Sequence, residues 1–236
     1  GLALLNGAGE VVNTGYEKAL PKEEVYDLDW QDLADSTDIS YFIHDPRVVD
    51  LAVPWLDHDP RAFEPHRNGK KLVELHAAKG CVARCTFCHR FEKGIRYIPN
   101  EILRGRIQEL VDKYNVGFLV IADENFGTDR KWLRGFCEMI KPFDLLLRVA
   151  GMRVNCIQPE FIEMMKEAGC VSIIYGMETG SPSILEVMEK KTKVSENRDA
   201  MQWTIGAGLY SAIQLVLGMP GEVSKTVGET IDFCKY

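Results

Sequence analysis

Three cysteines, Cys81, Cys85 and Cys88, stand within the stretch GCVARCTFCHR, and His89 follows the last of them directly. Thiols at this density point to metal chemistry, and the residues admit several kinds. Structural zinc wants four ligands, usually two pairs brought together by the fold. Here no second pair follows, and adjacent Cys88 and His89 are awkward partners for one tetrahedron. CTFCH also spells the haem-attachment pattern C-x-x-C-H, but that reading leaves Cys81 unexplained. Core packing alone is a poor account of thiols spaced four and three apart behind a glycine. A [4Fe–4S] cube fits best: it normally takes four thiolates, and three close ligands leave one iron open to a substrate or cofactor.

The surrounding elements decide where such a loop sits. KLVELHAAKG (71–80) reads as a strand running into the cysteines. After it come a helix over 100–114, with Leu103, Ile107, Leu110, Val111 and Tyr114 on one face, and an apolar strand over 116–125. The pattern repeats as helix 129–141, strand 145–154, helix 158–169 and strand 171–178. It ends with helices 181–190 and 195–208, strand 210–220 and helix 224–236. Five strands alternating with helices predict an α/β fold with a parallel sheet. Near-continuous apolar strands are expected when both faces are covered. The cysteine loop then lies at the C-terminal end of the first strand, where parallel α/β folds place their chemistry. Periodicity does not choose between barrel and open sheet, and the chain ends on a helix, so a closing strand is expected beyond it.

Residues 1–69 are different in kind. LALLNGAGEVVNT reads as a hairpin turning at Asn6-Gly7 and Gly9, and the acidic, Pro-containing stretch behind it reads as linker. The missing initiator Met fits a fragment. With 236 residues, 46% hydrophobic and 27% charged, the chain has the balance of a folded protein with a sizeable core. Its net charge of −7 makes nucleic acid an improbable partner. No apolar run is long enough to span a membrane. Seven cysteines, three clustered and four scattered, fit a reducing compartment and a cofactor site, not a disulfide framework. A cytoplasmic location is therefore expected.

C-x-x-x-C-x-x-C with an aromatic residue before the third cysteine, here Phe87, resembles the radical S-adenosylmethionine superfamily, and the likeness runs over residues 70–236. The resemblance implies a partial (β/α)6 TIM-like barrel with the cluster on Cys81, Cys85 and Cys88. The open iron would chelate the amino and carboxylate groups of S-adenosylmethionine, and reductive cleavage would yield a 5′-deoxyadenosyl radical. Cofactor contacts are implied for Asp123 and Glu124, the acids ending the second strand, which as residues are also suited to capping the next helix. Arg153 in GMRVN is placed toward the methionine carboxylate, or else on the surface. Glu178 in GMETGS is placed toward the cofactor's polar end or ribose, Phe87 beside adenine, and Gln214 on the barrel interior. Ser181 reads as a helix cap.

GLALLNGAGEVVNTG, DLDWQDL, DENF and GMETGSPSIL are also similar to the subgroup with a cobalamin-binding domain. That likeness implies residues 1–33 as the tail of such a domain, 34–69 as linker and 70–236 as the radical core. D-x-H-x-x-G, a loop that supplies a histidine to cobalt, is not matched by DHDPRAF at 57–63. The expected activity is a cobalamin-dependent methyl transfer or related radical reaction on a small molecule or biosynthetic intermediate, with a flavodoxin or ferredoxin as reductant. A methylthiotransferase-like enzyme is one alternative. Another is a non-catalytic iron–sulfur module, which would need a fourth ligand from Cys137, Cys156, Cys170 or Cys234; Cys137 lies in a helix and Cys234 near the chain end, so neither is well placed.

Overall fold

The computed structural model describes residues 3–15, 29–47, 54–89 and 94–235. Of the segments expected as domain tail and linker, residues 16–28 and 48–53 lie outside the described residues. The first element is the expected hairpin, β1 (Ala3–Leu5) paired antiparallel with β2 (Val11–Asn13). Asn6 shapes its turn: the side-chain oxygen accepts from the amides of Ala8 and Glu10 at 3.0 and 2.9 Å.

Next come α1 (Trp30–Ser36), β3 (Ile43–His44) and α2 (Pro54–Asp57). The repeating part begins at β4 (Lys71–Leu75). Behind it follow the hairpin β5 (Ala78–Cys81) and β6 (Gly94–Tyr97), then α3 (Asn100–Tyr114), β7 (Val116–Ile121), α4 (Arg130–Ile140) and β8 (Leu146–Met152). The last elements are α5 (Pro159–Glu167), β9 (Cys170–Glu178), α6 (Pro182–Val187), α7 (Val194–Gly206), β10 (Tyr210–Leu215) and α8 (Ser224–Lys235). The main sheet has the order β10-β9-β8-β7-β4-β3, parallel except for β3. Each parallel strand therefore lies beside the next one in the repeat, without the reversal that defines a doubly wound sheet. This is a partial TIM-like barrel.

The expected strand over 71–80 is two strands. The β4–β7 ladder ends at Leu75↔Ile121, and the next free amide, Ala77 N, donates to Asp123 Oδ1 at 2.8 Å. The chain thus leaves the sheet and pairs β5 with β6, a strand the sequence did not signal. β3, within the stretch read as linker, adds an antiparallel edge to β4.

Alternation along the strands divides the core. Val73, Leu75, Leu119, Ile121, Leu147, Val149, Ile173 and Tyr175 face the helices. They meet Leu103, Ile107 and Leu110 of α3, all fully buried at the predicted spacing, and Leu133, Phe136 and Ile140 of α4. Burying each such side chain contributes about 1.5–3 kcal/mol. The opposite, inner face carries Phe118, Val120 and Leu146, closed by Trp55 and Leu56 of α2 and by Ala62. Among the described residues no helix is long and apolar enough to cross a membrane.

Candidate functional site

Above that inner face, at the C-terminal ends of the parallel strands, lies a cavity of about 270 Å³. Cys81, Cys85, Phe87, Cys88 and His89 line one side; Glu124, Arg153, Lys190, Glu178 and Gln214 complete the polar lining. The fold thus gathers eight of the nine residues singled out from sequence. The ninth, Asp123, is not among the lining residues.

The cysteine loop is fixed from two directions. Cys81 ends β5, paired with Gly94 of β6, and its sulfur accepts from Ala83 N at 3.4 Å. Five residues after Cys81, the Thr86 amide donates to Met188 O and its hydroxyl to Val187 O, both at 2.9 Å, so the loop is stitched to the end of α6. Arg153 Nη1 lies 3.5 Å from Cys85 Sγ, and Nη2 donates to the Lys190 carbonyl. Exposure grades across the three thiols: Cys85 is buried, Cys81 half-buried and Cys88 exposed.

β9 contributes Glu178 with φ +68°, a left-handed conformation that a glutamate adopts only against strain. The carboxylate accepts from Lys190 Nζ at 2.6 Å, and that ammonium sits 5.8 Å from the Phe87 ring centroid. Lys190 and Glu178 are only 5% and 7% exposed. A buried ion pair is weak evidence of stabilisation, because desolvation offsets its attraction; beside a cavity, it reads as a polar wall kept for a ligand. Gly176 leaves the needed room, since a Cβ there would stand 2.6 Å from Glu178 Oε1 and 3.3 Å from Lys190 Nζ.

These residues fit an iron–sulfur cluster and a zwitterionic cofactor. Among the described residues, no three His, Cys, Asp or Glu side chains form a group suited to one ion. The three thiols all line the cavity, and thiolates are the donors of a polynuclear iron–sulfur cluster. Opposite them stand two carboxylates and two cations, the complement of an amino acid head.

Two expectations need correction. Asp123 and Glu124 are consecutive, so their side chains diverge. Glu124 reaches the cavity, whereas Asp123 turns inward, 3% exposed, and holds the β4–β5 corner through Ala77 N. Ser181 occupies the N-cap position of α6 but makes no capping bond; its hydroxyl goes to Glu229. Lys190 was not singled out, because EKKTK after a helix reads as a solvated basic end. Gly151 and Gly176 likewise carry no spacing signal.

Burial raises Asp123 to about 7, against the lowering effect of the Ala78 and Ala77 amides, with Glu124 adding to the rise. The folded state therefore binds this proton more tightly than the unfolded chain. The group's stabilising contribution is full below the ordinary carboxylate range and is lost as pH rises toward about 7. Urea unfolding of the parent and Asp123→Asn should show the parent losing up to about 1.4 kcal/mol per pH unit relative to the variant between these limits. A pH-independent difference would contradict the burial of an ionisable group here.

The comparisons with known proteins agree with this geometry. The family model "Radical SAM superfamily" matches residues 76–234. The anaerobic magnesium-protoporphyrin IX monomethyl ester cyclase of Cereibacter sphaeroides is 27% identical over 98% of this chain and 34% of its own. The cytidylyl-2-hydroxyethylphosphonate methyltransferase of Streptomyces wedmorensis is 24% identical over 71% of this chain and 32% of its own. The chain thus spans about a third of the length of these curated relatives. Among solved structures, the cobalamin-dependent S-adenosylmethionine radical enzyme OxsB, with aqua-cobalamin and S-adenosylmethionine bound, superposes with a TM-score of 0.67 at 21% identity. That match covers 99% of this chain and 32% of OxsB, and shows a shared fold. With a family model spanning well over half of its residues, the chain belongs to the radical SAM superfamily.

Proposed function

We propose that this chain is the catalytic core of a cobalamin-dependent radical enzyme that cleaves S-adenosylmethionine and acts on a small molecule or biosynthetic intermediate, by methyl transfer or a related radical reaction. The observation that carries the reading is the single cavity that unites three thiols with Glu124, Arg153, Glu178 and Lys190. Cys81, Cys85 and Cys88 would hold the cluster, which supplies the electron that breaks the sulfonium bond. Glu124 and Glu178 are the acceptors for the cofactor's ammonium or ribose hydroxyls. Arg153 and Lys190 supply positive charge for its carboxylate. Phe87 provides an apolar surface for the adenine, and Gln214 a polar group on the same wall.

Support for cobalamin comes from OxsB. OxsB is cobalamin-dependent by its description, and its likeness runs through the N-terminal segment as well as the barrel. We accordingly assign residues 1–33 to the tail of a cobalamin-binding domain, 34–69 to a linker and 70–236 to the radical core. A small acidic flavodoxin or a ferredoxin is the proposed reductant, and the cytoplasm the proposed location.

The test is direct. Anaerobically reconstituted and reduced, the protein should convert S-adenosylmethionine to 5′-deoxyadenosine. Absence of both product and any change in the cluster spectrum on adding S-adenosylmethionine would refute the reading. With cobalamin supplied to the full-length protein, a corrinoid spectrum should co-purify.

A further inference from the structure

Below the cofactor cavity, the inner face of the barrel carries a row of hydrogen-bond donors with no protein acceptor. The ladder pairs Arg148 of β8 with Ser172 of β9, and Ser172 with Tyr210 of β10, so the three side chains share one level on neighbouring strands. That level belongs to the inner face: Arg148 lies opposite Val120, and its guanidinium carbon is 6.0 Å from the centroid of Trp55. Tyr210 packs on the same inner cluster and makes an edge contact with His58 at 5.9 Å.

None of the three polar groups has a hydrogen-bond partner among the described residues. Arg148 makes no hydrogen bond or ion pair among the described residues, and its Nε is buried without a partner. Ser172 is fully buried, and its hydroxyl has no partner either. The Tyr210 hydroxyl makes no hydrogen bond among the described residues. Glu74, on the same face two strands from Arg148, is exposed; its charge acts on the guanidinium from a distance, but the two form no ion pair. Burial pulls the Arg148 guanidinium down from its ordinary value, yet a guanidinium stays charged at neutral pH. A half-buried cation with idle donors beside it is costly unless something anionic joins it.

The level above sets alanines around one larger side chain, Ile174. Ala212 stands beside Ile174, and Ala150 and Ala122 follow Arg148 and Val120 along their strands. One step higher, Gly176 pairs with Gln214, and both line the cofactor cavity. From Ser172 to Gly176 is four residues, a rise of about 13 Å. The lower of these levels, with alanines on either side of the buried Ile174, separates the donor row from the cavity.

We propose that Arg148, Ser172 and Tyr210 form the anchoring subsite for the acid group of the substrate, a carboxylate or phosphate, with its reactive carbon directed toward the cofactor cavity. This inference rests on the reading of the upper cavity as the S-adenosylmethionine site. It specifies a substrate class: a small molecule with one anionic end, reacting at a carbon within roughly 13 Å of it.

Calorimetric titration of the cluster-loaded protein, without S-adenosylmethionine, tests it with inorganic phosphate and propionate in separate arms at ionic strength fixed by chloride. At least one anion should bind saturably. Arg148→Gln should weaken it by about tenfold or more, and Tyr210→Phe by about threefold. Arg148→Lys distinguishes the acids: a point charge still serves phosphate, whereas a carboxylate loses its forked partner. Binding of neither anion to the parent overturns the proposal, and so does unchanged affinity in folded Arg148→Gln. If that variant does not fold, unchanged affinity in Arg148→Lys and Tyr210→Phe overturns it equally. The measurement needs no S-adenosylmethionine cleavage. A failed 5′-deoxyadenosine assay and a failed anion titration therefore point to different faults.

Discussion

Replacing Cys85 by alanine is expected to abolish cluster assembly and with it all cleavage of S-adenosylmethionine. Three thiols line the cavity; Cys156, near enough to Cys81 to interact with it electrostatically, is not among the lining residues. Cys85 is the most buried of the three and the one beside Arg153, in a loop pinned through Thr86 to Val187 and Met188. Its sulfur therefore occupies a place that a mobile neighbour is badly placed to take over. Cys137 and Cys170 make poor substitutes. Burial pushes the thiols of Cys137 and Cys170 up to about 12, so both stay protonated at neutral pH, and iron is ligated by thiolate. Both also pack with the helix-side core, away from the cavity. Iron and sulfide analysis after anaerobic reconstitution checks this. Cys85→Ala should retain almost none, and Cys137→Ala as much as the parent. Stoichiometric iron and sulfide in Cys85→Ala would remove the basis of the ligand assignment.

The cysteines were legible because ligand spacing within one loop is local, and a local pattern survives in sequence. The acids ending β7 were legible as a pair but not as individuals. Which of Asp123 and Glu124 faces the cavity depends on where the β4 ladder stops, and only the folded chain shows that Asp123 takes the free amide of Ala77. Lys190 was hidden for a related reason. It lies twelve residues after Glu178 in sequence, yet Nζ and carboxylate meet at 2.6 Å because the chain beyond α6 returns to the cavity wall. The row of Arg148, Ser172 and Tyr210 depends on register across three strands, including a shift between Leu147 and Arg148. Element types and order could be read from periodicity. The antiparallel strands β3 and β6 could not, because two and four residues are too few to show a period.

The same dependence on tertiary approach makes Gly151→Ala the substitution expected to cost the most stability. Gly151 has φ +73°, in the left-handed region, at the place where the β8–β9 register shifts between Val149 and Met152. A Cβ there would stand 1.9 Å from the carbonyl oxygen of Asp123 and 3.1 Å from its carbon. The obstacle is backbone, so no rotamer change relieves it; the end of β7 has to move away from β8. That movement would also strain the Phe126 N to Gly151 O bond and displace Glu124 and Arg153, which line the cavity from these two strands. Strain and clash together should lower stability by on the order of 3 kcal/mol or more. Gly105→Ala is the contrast. That glycine lies on the exposed face of α3 with nothing within 4 Å of a new Cβ, so alanine should stabilise by about 0.5–1 kcal/mol. Urea unfolding of both variants beside the parent measures the difference. If Gly151→Ala unfolds within about 0.5 kcal/mol of the parent, as an unremarkable surface change would, the close approach of β8 to the Asp123 carbonyl is not what positions Glu124 and Arg153.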